Sequence, residues 1–106
     1  MKFRKFYEKI LNRAIRTDLS YKEALEVINT QKTIIIDVRD PEEYNNNHFK
    51  NSINIPLYEV DNIELIIKDK DEVILIYCKM GQRSEIAKKI LLRKGYRNVY
   101  TFDAKV

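Results

Sequence analysis

The chain has 106 residues, of which 44% are hydrophobic, and a formal net charge of +4. This length suits one small domain with a single core, and the mild, dispersed charge gives no reason to predict a nucleic-acid partner. The single cysteine excludes an internal disulfide, and with one histidine it does not make up the usual ligands of structural zinc. No stretch approaches the roughly 20 apolar residues of a membrane span, and the first residues do not resemble a secretory signal. We therefore expect a cytoplasmic protein without a metal or cofactor.

The first predicted element is an amphipathic helix over residues 1–16. Its lysines and arginines lie away from an apolar face, which consists of Phe3, Phe6, Tyr7, Ile10, Leu11, Ala14 and Ile15. A basic amphipathic helix can lie on a membrane or bind an acidic partner. We expect it instead to pack on the domain or on a second copy of it, because most amphipathic helices in soluble chains pack against protein. The domain itself is expected over residues 17–106.

The next elements alternate between helix and strand. Ser20 and Glu23 form an S-x-x-E capping box, which predicts the start of a second helix. The continuous apolar run at residues 33–38 is typical of a strand that is covered on both faces. The sequence D-P-E-E at residues 40–43 indicates another helix start, and the three asparagines at residues 45–47 end that helix early.

The second half of the chain continues this alternation. Residues 52–56 predict a short strand, the isoleucines between residues 63 and 67 a helix, and residues 73–77 a buried strand. One more helix follows and ends at Gly95, and residues 98–102 form the last strand. Strands that alternate with helices predict an α/β fold with a mostly parallel central sheet and helices on both faces.

The only cysteine of the sequence, Cys78, lies between the strand at residues 73–77 and the helix after it. Ligands of such sheets bind beyond the carboxyl ends of the strands, where the segment at residues 37–39 should also lie. The N-terminus of a helix and two flanking cations, Lys79 and Arg83, favour the thiolate form of cysteine. The sequence therefore predicts a nucleophilic thiol at this rim.

Four segments resemble, in order, the signatures of the rhodanese-like domain family. Residues 36–44 resemble its D-V-R-x-x-x-E-Y motif, His48 with residues 53–56 resembles G-H-I-x-G-A-x-N-I-P, residues 78–84 resemble the active-site loop C-x-x-G-x-R-S, and residues 95–100 resemble the closing G-Y-x-N-V-Y. The resemblance covers about residues 18–102. It implies a rhodanese-like domain over residues 17–106, with the helix of residues 1–16 as an addition.

The resemblance implies sulfur transfer through Cys78. Its thiolate would take the outer sulfur of a small donor such as thiosulfate as a persulfide, and a thiol or cyanide would then accept that sulfur. Because the chain has no second cysteine, the acceptor must be another molecule. Loop N–H groups would cradle the sulfur. The residues assigned to this cradle or to substrate binding are Lys79, Met80, Gly81, Gln82, Arg83 and Ser84. The alternative is a non-catalytic or relay module that receives persulfide from a protein partner.

Other polar residues near these motifs have expected structural roles. Asp37 and Arg39 are supporting residues, which we expect to brace loops rather than to react. His48 is expected to be structural, and Ser84 to act as an N-cap rather than as a nucleophile. For Arg83 two roles stay open: binding of the substrate, or pairing with a carboxylate that shapes the loop.

Two departures from the family pattern concern glycines. Asn47 and Asn51 stand where the family has glycine, and we expect both turns to survive because asparagine tolerates positive φ. A rival function, phosphate-monoester hydrolysis, uses a related loop with five residues between cysteine and arginine. Here four residues separate Cys78 from Arg83, so the smaller loop favours a sulfur atom over a phosphate.

Overall fold

The computed structural model describes residues 18–106, and the helix predicted over residues 1–16 lies outside them. The strands are β1 (Asp18–Leu19), β2 (Ile34–Asp37), β3 (Ile53–Asn54), β4 (Val73–Tyr77) and β5 (Asn98–Phe102). The helices are α1 (Tyr21–Thr30), α2 (Pro41–Asn46), a 3-10 helix (Leu57–Leu65) and α3 (Gln82–Arg93). Among the described residues, no helix has the length and apolar character needed to cross a bilayer.

The five strands form one parallel sheet in the order β1-β5-β4-β2-β3. In the central register, Ile76 of β4 lies beside Ile36 of β2 and Thr101 of β5. All five residues of β4 are buried. The predicted parallel sheet is confirmed, and its middle strand ends directly before Cys78.

Helices cover both faces of the sheet, as predicted. Because successive side chains of a strand point to opposite faces, Ile74 and Ile76 of β4 join one core cluster and Leu75 and Tyr77 join the other. The first cluster includes residues of α3 and the 3-10 helix, and the second includes residues of α1. The periodicity of β4 thus places Cys78 on the α3 side of the sheet.

Local sequence signals fix several of the element ends. The Ser20 hydroxyl accepts the N–H of Glu23 at 3.1 Å, and the Glu23 carboxylate accepts the N–H of Ser20 at 2.9 Å, so the capping box of α1 is confirmed. α2 begins at Pro41, after Asp40, as the sequence predicted. Gly95 has φ +95° and donates its N–H to Leu92 at 3.0 Å, which is the expected end of α3.

The structure corrects the expected helix around residues 63–67. A 3-10 helix occupies Leu57–Leu65, so it begins six residues earlier and ends before Ile66, which is exposed. The side chains of Leu57, Val60 and Ile63 recur every third residue and pack in the α3-side core. A three-residue repeat matches the pitch of a 3-10 helix, in which residues i and i+3 lie above one another.

Only one of the two asparagines at glycine positions adopts positive φ. Asn51 has φ +66°, as expected, whereas Asn47 has φ −163° and is extended. Asn47 directly follows α2 as its C-cap, where its N–H bonds to the carbonyl of Glu43 at 3.2 Å. Any residue type can adopt that backbone conformation, so the expected need for left-handed tolerance at Asn47 was wrong.

Candidate active site

The loop after β4 places Cys78 at the start of α3. Gly81 is the N-cap of α3 and has φ +100°, a conformation that glycine adopts without strain. This left-handed residue turns the chain back over the cysteine, so the first turn of α3 faces the sulfur. Cys78 is 6% exposed.

Hydrogen-bond donors surround the sulfur of Cys78. The N–H of Gly81 points to Sγ at 3.1 Å and the N–H of Ser84 at 3.3 Å. The Ser84 hydroxyl lies 3.4 Å from Sγ and 3.1 Å from the carbonyl oxygen of Gly81. In the thiol form the sulfur donates to this hydroxyl; in the thiolate form the hydroxyl can turn and donate to the sulfur. Two N–H groups of the predicted cradle, those of Gly81 and Ser84, thus point to the sulfur, and the hydroxyl was not foreseen as a further partner.

These donors change the acidity of Cys78. Burial raises the pKa of a thiol because it disfavours the charged form. Hydrogen bonds from the Ser84 hydroxyl and from the N–H groups of Ser84, Gly81 and Arg83 outweigh burial, so the pKa of Cys78 lies below its ordinary value. A larger fraction of the thiol is thus ionised at neutral pH, and the thiolate is the nucleophilic form.

Ser84 does not cap α3, which corrects the sequence-based expectation. The helix begins one turn earlier because Gly81 serves as the N-cap, and Ser84 is the third helical residue. The side chain is buried, and its hydroxyl contacts Sγ and the carbonyl oxygen of Gly81.

A cavity of about 360 Å³ opens beside the sulfur. Its lining combines apolar and charged side chains and consists of Leu19, Cys78, Lys79, Met80, Gly81, Ser84, Thr101, Phe102 and Asp103. Met80 at the tip of the loop is 79% exposed. The cavity gives a small molecule access to Cys78. The Met80 side chain is an exposed apolar group at the rim of this cavity.

The side chains of the other loop residues make contacts away from the sulfur or are exposed. The exposed Lys79 donates from Nζ to the carbonyl oxygen of Val106 at 2.8 Å, and Gln82 is exposed at the first position of α3. Arg83 forms two hydrogen bonds with the carboxylate of Glu43 in α2, at 2.7 and 3.2 Å. Of the two roles left open for Arg83, the structure contains the carboxylate pair.

Sequence reasoning missed Glu43 as the partner of Arg83. The residue is the glutamate of the D-V-R-x-x-x-E-Y motif, and its position in the first turn of α2 suggested only a helix start. The signal that could have identified it is charge: Glu43 is an acid in one family motif and Arg83 a cation in another, and both motifs were predicted to lie at the same rim.

Asp37 and Arg39 form a buried ion pair beside the loop of Cys78. The Asp37 carboxylate accepts the Arg39 backbone N–H at 2.8 Å and the guanidinium at 2.8 to 3.1 Å. Arg39 also donates to the carbonyl of Asn47 at 2.6 Å and lies 5.6 Å from the centre of the Tyr77 ring. These contacts tie the end of β2 to the end of α2 and to β4, which agrees with a bracing role.

His48 stacks on Tyr44 and stays outside the cavity. The ring centroids are 3.9 Å apart, and Nδ1 lies 2.8 Å from the Tyr44 carbonyl oxygen. Within residues 18–106 no three His, Cys, Asp or Glu side chains group as metal ligands would.

The comparison with protein families establishes the family to which the domain and its Cys78 loop belong. The model of the rhodanese-like domain matches residues 20–104, which include the whole sheet except β1 and all of the Cys78 loop. The chain belongs to the rhodanese-like domain family. The resemblance carried by the four sequence motifs is confirmed.

Sulfurtransferases stand among the relatives of this rhodanese-like chain. The thiosulfate sulfurtransferase PspE of Escherichia coli K12 is 45% identical over 65 residues, which are 60% of this chain and 62% of PspE. A tRNA sulfurtransferase of Thermoplasma acidophilum is 35% identical over 86% of this chain but only 17% of its own length. A tRNA uridine(34) hydroxylase of Hamiltonella defensa is 32% identical over 83% of this chain and 26% of its own length. The chain thus spans less than two thirds of these curated relatives.

Solved rhodanese structures share the fold. A rhodanese with anions from E. coli is 39% identical and has a TM-score of 0.63 over 69% of this chain and 86% of its own. The human single-domain sulfurtransferase TSTD1 has a TM-score of 0.74 over 86% of this chain and 92% of its own, at 17% identity. The second comparison supports the architecture alone, whereas the first extends to related sequence.

Proposed function

We propose that this rhodanese-like protein transfers sulfane sulfur through a persulfide on Cys78. The observation that carries the proposal is the position of the Cys78 sulfur. The N–H groups of Gly81 and Ser84 both point to it, and it lies beside a cavity. Such a cradle stabilises a thiolate before transfer and an anionic persulfide after it. The name of PspE supports thiosulfate as the donor.

The reaction divides into two balanced displacements. The Cys78 thiolate attacks the outer sulfur of thiosulfate, a new S–S bond forms, and sulfite leaves with the electron pair of the old one. Cyanide or an external thiolate then attacks the terminal sulfur of the persulfide and leaves as thiocyanate or as a new persulfide, and the Cys78 thiolate returns. No oxidant or cofactor enters either step. Lys79 is the exposed cation that would attract the anionic donor.

A second candidate is a relay role, in which a protein partner delivers the sulfur. The exposed Met80 side chain favours it, because an apolar residue at the tip of the loop suits contact with another protein surface. The larger relatives in which this domain forms a small part, among them a tRNA sulfurtransferase, also support it.

Mass spectrometry of the intact protein tests the proposal. After incubation with thiosulfate we expect a mass gain of one sulfur atom that cyanide removes with formation of thiocyanate. Cys78→Ser should show neither. If thiosulfate fails to load the protein but a protein persulfide donor succeeds, the relay role replaces the thiosulfate enzyme. If neither donor adds sulfur to Cys78, the proposed function is wrong.

A further inference from the structure

Glu43 holds the guanidinium of Arg83 at the edge of the Cys78 loop. Glu43 Oε1 lies 2.7 Å from Nη1 and Oε2 lies 3.2 Å from Nη2, so the contact is a two-point ion pair. The two side chains are 33% and 35% exposed, which leaves the pair only partly screened by water. The hydrogen bond to Arg83 is the main reason that the pKa of Glu43 is low. The carboxylate therefore carries its charge at neutral pH.

Arg83 is electrostatically coupled to the reactive sulfur as well. Its pKa is raised chiefly by the hydrogen bond to Glu43, and the negative charges of Glu43, Cys78 and Asp40 add to that effect. The positive charge of Arg39 also helps to lower the pKa of Glu43. The guanidinium of Arg83, at the second position of α3, is thus paired with an acid from α2, and less of its attraction remains for a second anion.

We propose that Glu43 is a specificity-determining residue that lowers the affinity of the site for highly charged sulfur donors. Its carboxylate offsets the charge of Arg83, so the site keeps its N–H cradle but offers a dianion less attraction than the C-x-x-G-x-R sequence suggests. A donor of lower charge loses less affinity when the Glu43 carboxylate offsets the charge of Arg83. The proposal rests on the proposed sulfur transfer and adds a determinant of donor choice.

Two donors of different charge separate this effect from a general loss of activity. Thiosulfate is a dianion, and its transfer releases sulfite. Benzenethiosulfonate is a monoanion whose outer sulfur reacts in the same way, with benzenesulfinate leaving with the electron pair. Because Coulomb energy is proportional to charge, a gain of one positive charge near the site should favour the dianion about twice as strongly on a free-energy scale.

The test is the kinetics of Glu43→Gln with both donors. Glutamine can replace glutamate in the capping box of α2, so the helix start is retained. We expect the KM for thiosulfate to fall about threefold or more and the KM for benzenethiosulfonate to fall by about the square root of that factor. Glu42→Gln removes the same charge from the same turn at an exposed position and should change both constants much less. An unchanged or increased KM for thiosulfate in Glu43→Gln would overturn the proposal.

A second readout needs no sulfur donor. Because the chain has one cysteine, the pH profile of iodoacetamide alkylation reports the pKa of Cys78 alone. We expect Glu43→Gln to lower this pKa, and we expect Arg83→Gln to raise it, because the two side chains act on the thiolate with opposite charges. An unchanged or higher pKa in Glu43→Gln would contradict the role of Glu43. Glu43→Asp keeps the charge one methylene farther away and should move both readouts in the same direction but less. A shifted alkylation profile without persulfide formation would sink the sulfur-transfer function and leave the charge balance intact.

Discussion

A single hydroxyl contributes to the acidity of the reactive thiol. Ser84 is buried within hydrogen-bond distance of Sγ, and its side chain also reaches the carbonyl of Gly81. When Cys78 ionises, the hydroxyl can turn from that carbonyl to the sulfur, so one proton serves both states of the thiol. Stabilisation of the thiolate over the thiol is what lowers a pKa.

Ser84→Ala should therefore raise the pKa of Cys78 and slow alkylation at neutral pH roughly tenfold or more, since a hydrogen bond to a charged group is worth about 1.5–3 kcal/mol. The pH profile of iodoacetamide alkylation measures the shift, and the thiolate should become available only at higher pH. Ser52→Ala removes a buried hydroxyl that bonds to Phe49 and Tyr77, and it should leave the profile unchanged. Equal profiles for Ser84→Ala and the wild-type protein would mean that backbone N–H groups alone set the acidity.

The sequence predicted the backbone part of this site better than the side-chain part. The motif at residues 78–84 fixes the loop because glycine at its centre permits the left-handed turn, so the N–H cradle followed directly. The contacts of the Ser84 hydroxyl and of the Glu43 carboxylate depend on where α3 begins and on where α2 lies relative to it. A one-turn shift of the helix start changes the direction of a side chain, and sequence patterns define helix ends only to within a few residues.

The two glycines at the ends of α3 share a backbone conformation but differ in their contact with the sulfur. Gly81 and Gly95 have φ values of +100° and +95°, and a Cβ at either position would meet open space. The conformation alone therefore determines the cost of a side chain. Only Gly81 donates its N–H to the sulfur.

Gly81→Ala and Gly95→Ala should each lower the free energy of unfolding by about 1–2 kcal/mol, the cost of a left-handed conformation for a residue with Cβ. Urea unfolding measures this loss. Only Gly81→Ala should also raise the pKa of Cys78, because strain at that residue displaces the N–H from Sγ. An unchanged alkylation profile for Gly81→Ala would argue that the cradle tolerates a shift of its first N–H.

The ends of β2 and α2 depend on the Asp37–Arg39 pair. Asp37 is fully buried and Arg39 is 3% exposed, so neither charge has water as an alternative partner. Asp37→Asn leaves the guanidinium buried without its counter-charge, and we expect a loss of about 3–5 kcal/mol in the free energy of unfolding. Asp71→Asn breaks an exposed pair with Arg97 and should produce no measurable change in the same urea experiment. A small loss for Asp37→Asn would indicate that water reaches Arg39 when the pair is broken.

The prediction of elements succeeded where a local signal was strong. The capping box of Ser20 and the continuous apolar run of β4 each specify one structure, and both elements formed as predicted. The 3-10 helix was predicted too late in the chain because the prediction rested on Ile66 and Ile67. The three-residue apolar repeat starts earlier, at Leu57. A three-residue repeat also agrees with part of an α-helical pattern, so tertiary packing decides between them.

For the whole molecule, the helix predicted over residues 1–16 stays a prediction. We propose that its apolar face packs on protein rather than on lipid. Ile10→Asp would then place a charge in that contact and lower the melting temperature by roughly 5 °C or more, because about 1 kcal/mol moves a domain of this size by roughly 4–8 °C. Asn12→Asp adds the same charge on the opposite side of the predicted helix and should leave the melting temperature unchanged. Equal melting temperatures with a loss of vesicle binding in Ile10→Asp would favour the membrane role.

The place of β5 between β1 and β4 has a consequence for the synthesis of the protein. The pair β1–β5 joins residues near position 18 to residues near position 101, and β5 also covers one edge of the fully buried β4. While the ribosome is still translating the segment before residue 98, β4 has an open edge and the apolar strand is exposed. The sheet can therefore close only after almost all of the described chain has left the exit tunnel. Until then the open edge of β4 can pair with other strands.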